Sequence, residues 1–155
     1  MRTETVRLLA LTVASLVLFA GCAVPGSLDR VLPLPLRIKT TPTSVDVQAA
    51  GLADTSAVYL CATAPPYLPN DPADRIDWKP GGDCHDYGTH DTRDGLDISL
   101  PLAELVGSPD AGAFRAVPDW YLLLIELDGD RATSSVRSQF HAPKDLPIGP
   151  SPSGG

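Results

Sequence analysis

Side chains able to do chemistry gather in one stretch of this chain, Asp83-Cys84-His85-Asp86-Tyr87-Gly88-Thr89-His90-Asp91. Two imidazoles and a nearby carboxylate form a donor set that Zn²⁺ accepts, so a metal or small-ligand site on His85 and His90 is one reading of it. The spacing matches neither a His-Glu-x-x-His pair nor a calcium-binding loop. Asp and Gly in a polar loop are also what solvation and turn formation select with no ligand at all. Nucleophilic catalysis has less to work with. There is no Gly-x-Ser-x-Gly elbow, and a His-Asp pair without a positioned hydroxyl or thiol is not a catalytic constellation. Asp71, Asp74 and Asp77 recur every three residues, which aligns carboxylates only on a helix, and Pro72 argues against a helix there. The expectation is a non-enzymatic domain with no cofactor and no resident metal.

Composition narrows the partners. The 155 residues carry a formal net charge of -7, with 12 Lys and Arg against 19 Asp and Glu. Such a surface repels phosphate, and no run of basic residues offsets it, so nucleic acid is not expected as a partner. The single Met, at position 1, excludes a thioether copper(I) carrier. The length suits one domain with a real core but not two.

The three cysteines divide unevenly until the amino terminus is considered. Arg2 and Arg7 precede an uncharged run over residues 8–20, long enough for an export signal and short of the roughly 20 residues that cross a bilayer comfortably. It ends in Leu18-Phe19-Ala20-Gly21-Cys22. This junction resembles the lipobox of bacterial lipoproteins, an aliphatic residue and two small residues before an invariant Cys; Phe19 stands where Leu is usual. The resemblance implies that residues 1–21 are cleaved and that the Cys22 thiol carries a diacylglyceryl group. The protein would then sit at the extracytoplasmic face of a cell membrane, held by the lipid on Cys22. Cys61 and Cys84 remain as an even pair in an oxidising compartment, where a disulfide forms and persists. Removal of Arg2, Arg7 and Glu4 leaves the mature chain at -8, so attachment would rest on the acyl chains rather than on charge.

Residues 22–30 read as the lipidated terminus and its tether. From residue 31, Leu32, Leu34, Leu36 and Ile38 alternate with prolines and basic residues, an edge-strand pattern because each proline removes a ladder donor. Residues 44–49 alternate cleanly and read as a half-buried strand, and residues 57–63 as a more central one. Asp54 with Ala57-Val58-Tyr59-Leu60-Cys61 resembles the Asp-x-Ala-x-Tyr-x-Cys signature of immunoglobulin variable domains, with Asp54 one residue too far away and no paired Cys or core Trp before it. It implies at most a sandwich of that general kind. Residues 64–94 form a long irregular, proline-rich region, which a Cys61 to Cys84 bridge would staple. Leu96, Ile98 and Leu100 alternate again, followed by at most one helical turn before Gly107. Residues 120–127 are the most hydrophobic stretch of the mature chain, and with residues 132–140 they predict a hairpin turning at Asp128-Gly129.

Six or seven short strands with no amphipathic helix predict an all-β fold, an antiparallel immunoglobulin-like β-sandwich over residues 31–141, with a small partly open barrel as the alternative. Residues 142–155, rich in Pro, Ser and Gly, read as a disordered tail. Both faces of the 120–127 strand are apolar. Trp120, Leu122 and Leu124 would form a partner-facing patch unless Tyr67, Leu68 or Trp78 of the proline-rich loop fold over them. The reading overall is a lipoprotein displaying a non-enzymatic binding or envelope-assembly module, its partner an envelope or cell-surface protein. A metal or small-ligand sensor on the His85 and His90 loop is the alternative, and a small extracytoplasmic hydrolase the third.

Overall fold

Alternating apolar residues can satisfy both their side chains and their backbone only by pairing into sheets that face each other. The computed structural model describes residues 35–144 and residue 146; the leader, Cys22, the tether and the first residues of the expected edge strand lie outside this range. The described residues form seven strands: β1 (Leu36–Thr40), β2 (Ser44–Ala49), β3 (Thr55–Cys61), β4 (Cys84–Asp91), β5 (Leu96–Pro101), β6 (Asp119–Asp128) and β7 (Arg131–His141). They make two antiparallel sheets, β1-β2-β5 and β4-β3-β6-β7. The sheets pack face to face and do not close into a barrel, so the fold is the sandwich.

Constant-type immunoglobulin domains place their first, second, fifth and fourth strands in one sheet and the third, sixth and seventh in the other. Here the fourth strand has changed sheets and pairs with β3. The crossover back to β5 is tied down locally: the Thr92 hydroxyl donates to the Ala53 carbonyl at 2.5 Å and lies 3.1 Å from the Ser56 hydroxyl.

The inter-sheet core takes the inward residues of both layers. Val45, Val47 and Ala49 of β2 and Leu96 and Leu100 of β5 meet Val58 and Leu60 of β3 and Val136 of β7. Trp120, Leu122 and Leu124 belong to this core, at 0%, 1% and 0% exposure. The partner-facing patch expected there is therefore corrected: the three-stranded sheet, not the loop and not a partner, covers that face of β6. Two short helices, α1 (Leu102–Val106) and α2 (Ala111–Arg115), close one end by inserting Leu102, Leu105 and Phe114. The Trp120 indole donates to the Phe114 carbonyl at 3.0 Å, which satisfies its one polar atom at full burial. Ala142 and Leu146, in the stretch expected as a disordered tail, pack against the same core.

Four local expectations change. The region read as irregular from 64 to 94 contains β4, a polar strand at a sheet edge that carries no apolar alternation to reveal it. Pro72 does not forbid a helical turn; it occupies the first position of a 3-10 turn (Pro72–Arg75), where its missing N–H costs nothing, and Asp71 caps that turn. Helix α2 was not anticipated. The hairpin turns one residue later than expected, through Gly129 and Asp130, because Asp128 pairs with Arg131. Gly129 takes φ +63 at the first loop position, a conformation that a side chain would resist.

Candidate functional site

The outer face of the four-stranded sheet carries a second apolar layer. Tyr59, Cys61, Leu123 and Ile125 point away from the inter-sheet core and are buried beneath Leu68 and Trp78 of the loop spanning residues 62–83. The loop does fold over β6, on the face opposite to the one expected.

Every part of that loop has a fastener. Cys61 and Cys84 sit directly across from each other on β3 and β4 and form a disulfide with a Cα–Cα distance of 4.0 Å, closing the loop at its base. Next to it, the Ala62 N–H donates to the Asp83 carbonyl at 2.9 Å. Arg137 of β7 donates to the Pro65 carbonyl at 3.0 Å and stacks its guanidinium 3.6 Å from the centre of the Tyr67 ring. Arg75 turns back and donates to the carbonyls of Pro69 and Asn70, both at 2.6 Å. Ile76 bridges to Arg131, and the Asp77 N–H donates to the Asp130 carbonyl at 2.9 Å. Asp77 holds φ +53, alone among the described non-glycine residues in that region. Such a loop has little conformational entropy left to lose on binding.

What the loop presents is apolar. Tyr67 and Ile76, at 66% and 44% exposure, are the exposed large hydrophobic residues among those described, and both lie on it. The same loop carries the exposed carboxylates of Asp71, Asp74 and Asp77. The three aspartates thus share a loop surface rather than a helix face.

No family model, no curated protein and no solved structure matches this chain.

The His and Asp cluster is dispersed along β4. His85 stands across from Leu60 and His90 across from Ser56, so the two imidazoles are separated by roughly 15 Å of extended strand. His85 packs edge-on against Tyr87 at 4.8 Å, and the His90 ring nitrogen Nε2 lies 3.1 Å from the Tyr87 carbonyl. Asp86 lies 3.9 Å from Lys79, while Asp91 accepts from the Arg93 N–H at 3.1 Å. Cys84 is oxidised. Among the described residues no three His, Cys, Asp or Glu side chains come together as a metal ligand set. The strand thus holds His85 and His90 apart.

Two tyrosine hydroxyls are held in their neutral form. Burial pushes Tyr59 up to about 12, and the carboxylate of Asp86 beside it adds to the shift. Burial, with Glu104 nearby, raises Tyr87 further, and its hydroxyl donates to the Pro101 carbonyl at 3.0 Å, joining β4 to the end of β5. Sequence reasoning missed Glu126, a buried carboxylate at 5% exposure. It accepts from the Ala53 N–H at 2.7 Å and from the Ser134 hydroxyl, fixing the turn before β3 to the hairpin. Its signal was available: a lone acid inside the run Leu124-Ile125-Glu126-Leu127 needs a partner if the run is buried.

Proposed function

We propose that this protein is a lipoprotein, anchored through Cys22 at the extracytoplasmic face of a cell membrane, which displays the sandwich as a non-enzymatic binding or envelope-assembly module. The recognition element is the loop spanning residues 62–83. One observation carries the reading: a loop fastened at its base, middle and tip to the outer sheet face holds Tyr67 and Ile76 out to solvent. Ordering a loop costs conformational entropy, and this architecture meets that cost before a partner arrives. Tyrosine is also among the side chains that most often dominate the energy of a protein interface. The lipobox-like junction supports the anchoring half independently, and no described helix is long and apolar enough to cross a membrane.

The anchoring half is tested by Cys22→Ser with membrane fractionation and labelling by an alkyne fatty acid. The variant is expected in the soluble fraction without label; retention in the membrane would refute the anchor. The binding half is tested by Tyr67→Ala with Ile76→Ala in the otherwise intact chain, read as the yield of complexes recovered after cross-linking in intact cells. A yield unchanged from that of the parent protein would refute the loop as the recognition element.

A further inference from the structure

We infer that the loop docks onto a protein seated in or on the same membrane, and that the receiving surface is an apolar socket ringed by Lys and Arg. The inference rests on the binding-module reading and adds the partner's chemistry and place.

The apolar part follows from Tyr67 and Ile76, which are held out to solvent while Leu68 and Trp78 between and beyond them are turned inward. The basic rim follows from the loop's charges. Asp74 and Asp77 are exposed, and the hairpin beside them adds Asp128 and Asp130. The cations nearby do not balance these carboxylates: Arg75 turns back onto the carbonyls of Pro69 and Asn70, Arg137 lies over the Tyr67 ring, exposed Lys79 lies 3.9 Å from Asp86, and Arg131 across from Ile76 stands against Asp74, Asp77, Asp128 and Asp130. A complementary surface is therefore apolar at its centre and positive at its edge.

The place follows from topology. β1 begins at the end of the sandwich that also holds the turn after β2, the β6–β7 hairpin and the Ile76 bridge, since Leu36 pairs with Ala49 and Ile76 with Arg131. The chain from Cys22 to Pro35 reaches at most about 45 Å. The loop tip is thus confined to a shell near the lipid surface. Lipid itself is the poorer occupant, because anionic headgroups repel the aspartates around Ile76.

The test places p-benzoylphenylalanine at Tyr67, and separately at exposed Thr43 in the turn at the opposite end, in the full lipid-anchored chain within the cells that make it. Light-induced adducts are identified by mass spectrometry down to the receiving peptide. The expected result is one protein adduct from position 67 that position 43 does not give, on an apolar residue flanked by Lys or Arg. Its yield should fall at least tenfold in Asp74→Lys/Asp77→Asn, where Asn tolerates the positive φ of residue 77. Adducts to lipid would overturn the inference in favour of membrane insertion. A protein adduct on a surface without cations, or one insensitive to the charge change, would overturn the partner chemistry while leaving the binding module intact. Adducts from position 43 alone would move the interface elsewhere, and none from either position would sink both proposals.

Discussion

Reduction of the Cys61–Cys84 disulfide separates two roles that a staple can play. The bridge closes a loop with a sequence separation of 23. In the chain-entropy account, releasing a loop of that size restores about 3.4 kcal/mol of freedom to the unfolded chain at 25 °C. In the folded state the loop should hardly move, because Arg137, Arg75, Ile76 and Asp77 fasten it independently of the sulfurs. The expectation is therefore a large change in stability with a small change in structure. In urea titrations of the oxidised protein and of protein refolded in a phosphine reductant, the reduced form should lose about 3 kcal/mol, and its m-value should rise because an unlinked chain exposes more surface. The midpoint of thermal unfolding should drop by on the order of 10 °C for a domain of this size. Near-ultraviolet dichroism from Trp78 and resistance of residues 62–83 to limited proteolysis should persist. If the loop is cleaved rapidly in the reduced native protein, the side-chain fasteners are too weak to hold it, and the pre-organisation argument fails.

Two further outcomes follow from the interior. A protein with a Tyr59 hydroxyl at about 12 keeps its proton while the unfolded chain, near 10, has lost it. Tyr59 thus contributes stability fully below pH 10 that is lost as pH rises through 12, on the order of 2 kcal/mol in all; spectrophotometric titration near 295 nm in which all 4 tyrosines ionise together around pH 10 would contradict this. Leu124→Ala should cost about 2–5 kcal/mol and Trp120→Ala about 3–5 kcal/mol by denaturant titration, as inter-sheet core residues do. Losses below 1 kcal/mol would return them to the surface.

Where one face of a strand is buried and the other wet, the sequence carries the pattern openly. Ser44-Val45-Asp46-Val47-Gln48-Ala49 alternates because Val45, Val47 and Ala49 enter the core while Asp46 accepts from Ser44 and Ser99 on the outer face. β6 defeats the same logic. Its two faces are equally apolar because two different layers cover them, and a period of two cannot say which layer covers which. That is why Trp120, Leu122 and Leu124 were assigned to the wrong side. β4 is legible only through its partner: Cys84 lies across from Cys61, and the ladder to β3 makes a strand of Cys-His-Asp-Tyr-Gly-Thr-His-Asp that period and propensity would not choose. Helix α2 has neither a side-chain cap nor length, so only the burial of Ala111 and Phe114 defines it. The candidate site was half visible. Tyr67, Leu68 and Trp78 are legible as a cover, but of the fasteners only Arg75 is local; Arg137 and Arg131 come from β7, far along the chain, and no local pattern encodes their contacts.

The position of the disulfide also decides how the protein bears load. A membrane tether on one side and a bound partner on the other would pull on β1 and on the loop. Tension entering at Tyr67 or Ile76 passes around a covalent ring whose two ends sit side by side on β3 and β4, so the loop can pay out no further than half its contour before both strands share the pull. Tension entering at Pro35 meets β1, a strand of 5 residues hydrogen-bonded on one side only. If the chain is tethered through Cys22, force reaches this edge strand first, and β1 would peel from β2 while the loop stays held by its covalent ring.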